Sequence, residues 1–454
     1  MHLNRKTAVI GATMASAALT LSALPVAADG HLPELVQAMN GDFTGAQVNV
    51  QTQWIGGEGE NFQAAWQPFV DATGIRVVVD AIGSSHETVL RSRVQGGAPP
   101  DMALLGQPAS INQYGVEGSA LDVNTFMPEG SLDGTAATNG LYQVDGAQYA
   151  IPYKVDVKGV IWYPIKAFEA AGYEIPQTWD EFIALADQIV ADGSNPFCVG
   201  MEAGTATGWQ ATDLVEVAML RTSSTENYDK WVTNELKFNS DEVKAALDLV
   251  SQIYFTPDYV LGGNTAITAL AQTTPMDPMF EGDTLTPGCW MHIIPFWYGP
   301  DFFPDVRTSS DPDYVSPYVI GEDIGIFPVP PVDPMMNPAL GAGDGVVVFQ
   351  DRPEVRAFAQ YLSTPEGIEG WVKLGSAIAA NTDVPTEWYE GHYKSEVAAG
   401  LLANATDFRF DASDLMPAAV GAGSFWTGMV DWIAANGENT DDVLQAIDDS
   451  WPAE

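Results

Sequence analysis

Residues 149–189 read YAIPYKVDVKGVIWYPIKAFEAAGYEIPQTWDEFIALADQI, and two kinds of structure follow one another along them. Tyr149 to Tyr163 is rich in β-branched and aromatic side chains and is interrupted by Pro152, a pattern of strand segments joined by a bend and not of one central strand. Such a segment suits a chain crossing between two lobes. At Thr178 the pattern changes. Thr178 is placed as an N-cap with Glu181 three positions on, and Phe182, Leu185, Ala186 and Ile189 recur at i, i+3, i+4 and i+7, which predicts an amphipathic helix.

Upstream, Val48 to Trp54, Arg76 to Ile82 and Asp101 to Leu105 are short strand-like runs. Helical patterns lie between them, with Phe62, Trp66, Phe69 and Val70 on one face and Val89, Leu90 and Val94 on the next. That alternation predicts a βαβ series, an α/β architecture with a parallel sheet covered by helices. A Gly-rich region, Gly115 to Gly146, then leads into the crossing segment. Downstream the chain is helix-heavy: Asn239 to Tyr254 and Asp351 to Leu362 carry apolar residues in helical phase. Thr364-Pro365-Glu366 restarts a helix, and Thr440 is placed as the cap of a final one. Thr273 to Gly288 and Phe296 to Pro317 are irregular and rich in Pro, Asp and Gly.

Met1 to Ala28 has a basic start at Arg5 and Lys6, an apolar run and a small-residue end, the form of a cleavable signal peptide. No Cys ends this leader, so a lipid anchor is not expected, and the periplasm of a two-membrane bacterium is the expected location. Removing it from the 454 residues leaves about 426, too many for one core, so two lobes are expected. Lys and Arg total 18 against 60 Asp and Glu, for a formal charge of −42, and such a field repels nucleic acid and anionic membranes. Apolar residues make up 46% of the chain, which argues against disorder. Cys198 and Cys289 would sit in an oxidising compartment, where a disulfide is the expectation and two buried thiols the alternative.

The order of blocks in residues 149–189, an aromatic-proline strand, a Tyr-Pro break and then Pro-x-Thr-Trp-Asp-Glu-Phe, resembles the extracellular solute-binding proteins of carbohydrate ABC importers. PPDMALLG at Pro99 to Gly106, IGIFPVPP at Ile324 to Pro331, GAGDGVVVF at Gly341 to Phe349 and the helix-rich run that follows match the same family in its order. The resemblance implies a two-lobed periplasmic binding protein fold of the class II type, each lobe a mainly parallel sheet flanked by helices, with the ligand cleft between. By the family's topology the first lobe takes residues 43–155 and 341–363, and the second 156–340 and 364–454. Repeated crossings would restrict motion to a hinge. The same resemblance implies a monomer that binds a sugar and delivers it to membrane permease subunits, with no catalysis, cofactor or metal. TGWQATDLVEVAMLR, NYDKWVTNELKFN and PGCWMH look like the α-glucoside-binding branch, in which Trp209, Asp213 and Trp290 would line the second lobe's wall.

Ligands of open α/β sheets lie beyond the carboxyl ends of the strands. That rule selects the loops Trp54 to Glu60, Gly83 to Glu87 and Gly106 to Ser110, which offer Trp54, Glu58, Ser84, Ser85, Gln107 and Pro108. Sugar hydroxyls suit carboxylates and amides, and sugar C–H faces suit aromatic rings. Trp54, Trp209, Trp290, Trp297 and Trp426 lie near strand ends, turns or loop starts, although each is as readily explained by packing. Glu58, Asp156 and Asp344 stand out among the acids by position, the alternative being solvated or turn-capping carboxylates. His292, in an apolar run with no second histidine at ligand spacing, reads as a satisfied core residue. Two other function classes fit the composition: a secreted glycoside hydrolase with paired carboxylates, and a receptor for a polyamine or another nutrient such as an iron chelate.

Overall fold

The computed structural model describes residues 32–280, 285–311 and 314–453. The expected leader, Met1 to Ala28, lies outside them. The strands run in chain order β1 (Gln47–Thr52), β2 (Arg76–Ala81), β3 (Met102–Leu105), β4 (Gln143–Val144), β5 (Ala147–Gln148), β6 (Ile151–Lys158), β7 (Val160–Pro164), β8 (Asn195–Phe197), β9 (Cys289–Ile293), β10 (Ile324–Pro328), β11 (Ala339–Val348), β12 (Ile378–Ala379) and β13 (Phe408–Phe410). They form two sheets and a β4–β5 hairpin. The first sheet has the order β12-β6-β11-β3-β1-β2 with β13 beside β11, and the second β10-β7-β9-β8.

β1 pairs in parallel with β2 and β3, because helices Gly57–Thr73 and His86–Gln95 carry the chain back between them. Of the remaining pairs in the first sheet β11–β13 is parallel, but β11 is antiparallel to β3 and β6, and β12 to β6, so the sheet is mixed where a mainly parallel one was expected. In the second sheet only the β8–β9 pair is parallel. Both sheets are therefore mixed.

Each lobe has its own core. Against the first sheet lie Phe62 and Phe69 of Gly57–Thr73 and Phe358 and Tyr361 of helix Pro353–Ser363, all buried. The second lobe is built on helices Trp209–Thr222, Asp241–Tyr254 and Trp426–Ala434. The chain passes between sheets at Gly159, where φ is +68° and an added Cβ would lie 2.8 Å from Val217 Cγ2, so the switch from β6 to β7 needs glycine. It returns between β10 and β11. β6 and β11 are antiparallel neighbours in the first sheet and give the lobes a paired connection.

Two expected boundaries move. β6 stays in the first sheet as far as Lys158, and the chain does not leave that lobe at Thr364. Helix Glu366–Lys373 lays Ile368, Trp371 and Val372, an i, i+3, i+4 stripe, into the first core. It packs so closely on Gly57–Thr73 that a Cβ at Gly370 would lie 2.3 Å from the Ala64 carbonyl oxygen. β12 then pairs with β6 while Ile378 touches the second lobe's packing, which helix Tyr393–Asn404 rejoins through Tyr393 and Ala398.

The caps follow local chemistry. Thr178 Oγ1 accepts the Glu181 N–H at 3.3 Å, and the Glu181 carboxylate takes the Gln177 N–H at 2.7 Å, one residue before the reciprocal capping-box partner. Thr364 Oγ1 accepts from the Gly367 N–H at 3.3 Å. Thr440 does not cap its helix; its hydroxyl donates to the Gly437 carbonyl and accepts the Trp432 indole N–H. Cys198 and Cys289 are joined, with Cα atoms 5.4 Å apart, tying the end of β8 to the start of β9. The buried His292 ring bonds through Nδ1 to the Cys198 carbonyl at 2.7 Å, and burial lowers its pKa to about 4, so it sits in the core as a neutral ring.

Candidate ligand-binding cleft

A cavity of about 560 Å³ lies between the lobes, floored by the carboxyl ends of β1 and β3 and by β6 and β11. Along β6, Lys154, Asp156 and Lys158 alternate, so all three point to one face. Lys154 is the centre of one cluster. Its ammonium lies 3.8 Å from Glu58 and 3.9 Å from Asp344, under the rings of Trp54 at 5.5 Å and Trp371 at 5.0 Å. Gln53 Nε2 donates to Asp344 Oδ1 at 3.3 Å. Lys158 centres the second cluster, bonded to Asp213 at 2.9 Å and to the fully buried Asp411, with its ammonium 5.6 Å from the Trp209 ring.

These charges are largely out of water, and burial dominates their titration. It lifts Glu58 to about 7 and Asp344 to about 6 despite the nearby Lys154. Glu87, whose two carboxyl oxygens have no hydrogen-bond partner, is lifted by burial to about 7 with Arg91 opposing. Burial also holds Asp213 well above the usual carboxylate range, whereas Asp411, buried as deeply, is held below it by Lys158 and Ser413. Burial opposes the Lys158 charge, yet Asp213 and Asp411 keep its pKa well above the ordinary value.

The opposite wall is aromatic. The rings of Trp209 and Trp297 are 6.1 Å apart, Phe302 sits 5.0 Å from Trp297, and Trp426 completes the lining. Trp209 Nε1 donates to Gln272 Oε1 at 2.7 Å, which fixes its plane. The lobes touch across the mouth. Gln107 Nε2 donates to Asp414 Oδ1 at 3.2 Å, and Thr205 Oγ1 donates to the Ser84 carbonyl at 3.5 Å.

Residues 56–286 match the bacterial extracellular solute-binding proteins. The chain belongs to that family. Over 90% of its length this solute-binding protein is 35% identical to the alpha-glucosides-binding periplasmic protein AglE of Rhizobium meliloti (strain 1021), covering 88% of that protein. It is also 35% identical to the osmoprotective compounds-binding protein GgtB of Synechocystis sp., over 91% of this chain and 94% of that one. Among solved structures, the bacterial solute receptor AcbH superposes with a TM-score of 0.73 at 16% identity, over 89% of this chain and 98% of the other. A chitin oligosaccharide binding protein does so with a TM-score of 0.70 at 17% identity, over 89% and 97%. These likenesses establish the two-lobed α/β fold. Among the described residues, no helix is long and apolar enough to cross a membrane.

Of the residues singled out from sequence, the cavity gathers Glu58, Ser84, Gln107, Asp156, Trp209, Asp213, Trp297, Asp344 and Trp426. Trp54 also borders it, but its ring is buried edge-on against Trp371 at 4.6 Å and Phe62 at 5.0 Å, so it backs the floor more than it faces the space. Ser85 is not in the lining. Trp290 is not either: its ring packs 4.9 Å from Tyr173 and 5.8 Å from Phe168 inside the second core, and its indole N–H goes to Ser194 Oγ. Glu58 is not in a loop, because helix Gly57–Thr73 has already begun there.

Sequence reasoning missed Lys154, Lys158, Glu87, Arg91 and Asp414. The two lysines were legible, since cations are scarce in this chain and both share the strand face of Asp156. Nothing local marks Asp414, which reaches the cleft from the four-residue helix Ala412–Leu415.

Proposed function

We propose that this solute-binding protein captures a neutral oligosaccharide, in the first place an α-glucoside, and delivers it to the permease of an ABC importer. One arrangement carries the reading. An aromatic wall of Trp209, Trp297 and Trp426 faces a floor whose ammonium groups are already paired with carboxylates. Rings meet the apolar C–H faces of a sugar, while half-satisfied carboxylates, amides and ammonium groups exchange hydrogen bonds with its hydroxyls. A polyamine would meet Lys154, Lys158 and Arg91 beside the acids of the same lining, and its binding, unlike that of a sugar, would fall steeply with ionic strength. The likeness to AglE favours an α-glucoside; that to GgtB favours an osmoprotective compound as the second reading. The lobes close about β6 and β11, and contacts made by the ligand with both lobes select the closed form. The site of action is the periplasm, reached through the Met1 to Ala28 leader, and the protein acts as a monomer.

Calorimetry of the mature protein against maltose, trehalose, sucrose and a panel of small polyols tests this. A saturable isotherm with at least one glucoside is expected, with the sugar recovered unchanged by chromatography. Silence across the sugars removes the carbohydrate assignment. Release of free glucose would make the protein a hydrolase.

A further inference from the structure

Gly57, at the start of helix Gly57–Thr73, has no conformational reason to be glycine. Its φ is not in the left-handed region, unlike that of Gly56 at +57°, and alanine is the better helix former. The obstacle to a side chain lies across the cleft. A Cβ on Gly57 would fall 2.0 Å from Cγ of Asp301 and 2.2 Å and 2.4 Å from its two carboxyl oxygens.

Asp301 belongs to the second lobe. It sits in the turn Pro300–Phe302, whose Phe302 ring stacks on Tyr298 at 5.1 Å and abuts Trp297. Its carboxyl therefore rests directly on the first turn of a 17-residue helix of the other lobe, where free N–H groups concentrate positive charge. Lys394 of the second lobe faces the same carboxyl favourably, and Glu60 of the first faces it unfavourably.

We propose that Gly57 and Asp301 are the seat and stop of lobe closure: the space left by the missing side chain at 57 receives Asp301 only when the cleft is shut, and sets how far it shuts. The contact stands with the Gln107–Asp414 and Thr205–Ser84 bonds as a third bridge between lobes. Of these three it is the one formed against a glycine, where an added methyl would overlap the Asp301 carboxyl. The proposal rests on the closing motion of the preceding reading but not on the identity of the ligand.

The test needs no ligand. A Ser84→Cys/Thr205→Cys background puts one thiol on each of the two segments that touch at the mouth, where Thr205 Oγ1 reaches the Ser84 main-chain carbonyl, and the native Cys198–Cys289 bridge is buried. Under a mild oxidant, Gly57→Ala is expected to slow formation of the new cross-link by about tenfold, since the added methyl overpacks the contact and opposes closure. Adding Asp301→Gly to that variant should restore the rate to within about threefold of the parent, which also shows that Gly57→Ala has not simply misfolded. Cross-linking of Gly57→Ala at the parent rate overturns the proposal, as does failure of Asp301→Gly to rescue it. Neither outcome bears on whether sugars bind.

Discussion

Replacing Glu58 by Gln should make the ligand-free protein more stable at pH 8, although it removes a charge that lies 3.8 Å from a lysine. In the folded state burial moves the Glu58 carboxyl from its ordinary 4.5 to about 7. Below about pH 4.5 the group is protonated whether the chain is folded or not, and it contributes nothing. Between 4.5 and 7 the folded protein holds a proton that the unfolded chain has released, so stability falls as pH rises. Above 7 the whole cost is present: about 2.5 pKa units at about 1.4 kcal/mol each is about 3–4 kcal/mol. Glutamine keeps the shape without the charge, and loses up to about 1 kcal/mol of favourable interaction with the helix N-terminus. The net gain at pH 8 is then about 2–3 kcal/mol, on the order of 2–3 °C in the melting temperature for a chain of this length. Paired thermal and urea unfolding of wild type and Glu58→Gln at pH 4.5, 6 and 8 measures it. A variant less stable than wild type at pH 8, or a gain of equal size at every pH, would falsify the account of this carboxyl as a desolvated group kept for the cleft. Such a cost is what a site built for a ligand carries when the ligand is absent.

Three further outcomes follow from the same geometry. Trp209→Ala, which strips the ring held by Gln272, should weaken binding of the proposed sugar ligand by about 10- to 100-fold in calorimetry with little change in melting temperature. Lys158→Met leaves Asp213 and Asp411 buried without their cation, and should cost about 3–5 kcal/mol at pH 8. Both carboxyls take up protons more readily once the lysine is gone, so in urea titrations the deficit should shrink at pH 5; a deficit independent of pH would contradict this. Opening the Cys198–Cys289 bridge, which spans 91 residues, should lower stability by about 3–5 kcal/mol and appear as a mobility shift on non-reducing gels.

Much of the architecture was written in local pattern. The period of the apolar residues marked β1 to β3 and their helices, Thr178 and Thr364 marked helix starts by offering a hydroxyl to a free N–H, and the blocks from Pro99 to Phe349 marked the family. These features depend on neighbours a few residues away, so a linear reading finds them. Other outcomes depended on which surface a residue met. Ile368, Trp371 and Val372 form the same stripe whichever lobe covers it, and the bed offered by helix Gly57–Thr73 kept them in the first. Trp290 and Trp209 look alike as tryptophans beside glycines, yet one ring was enclosed by Tyr173 and Phe168 while the other was left facing a cavity. Glu58 was identifiable as an acid near glycines, but its raised pKa comes from burial, reinforced by Asp344 and Asp156 from two strands and opposed by Lys154. Charge burial and close approach between lobes are properties of three-dimensional neighbours, and for Gly57 the decisive neighbour, Asp301, arrives from the opposite lobe.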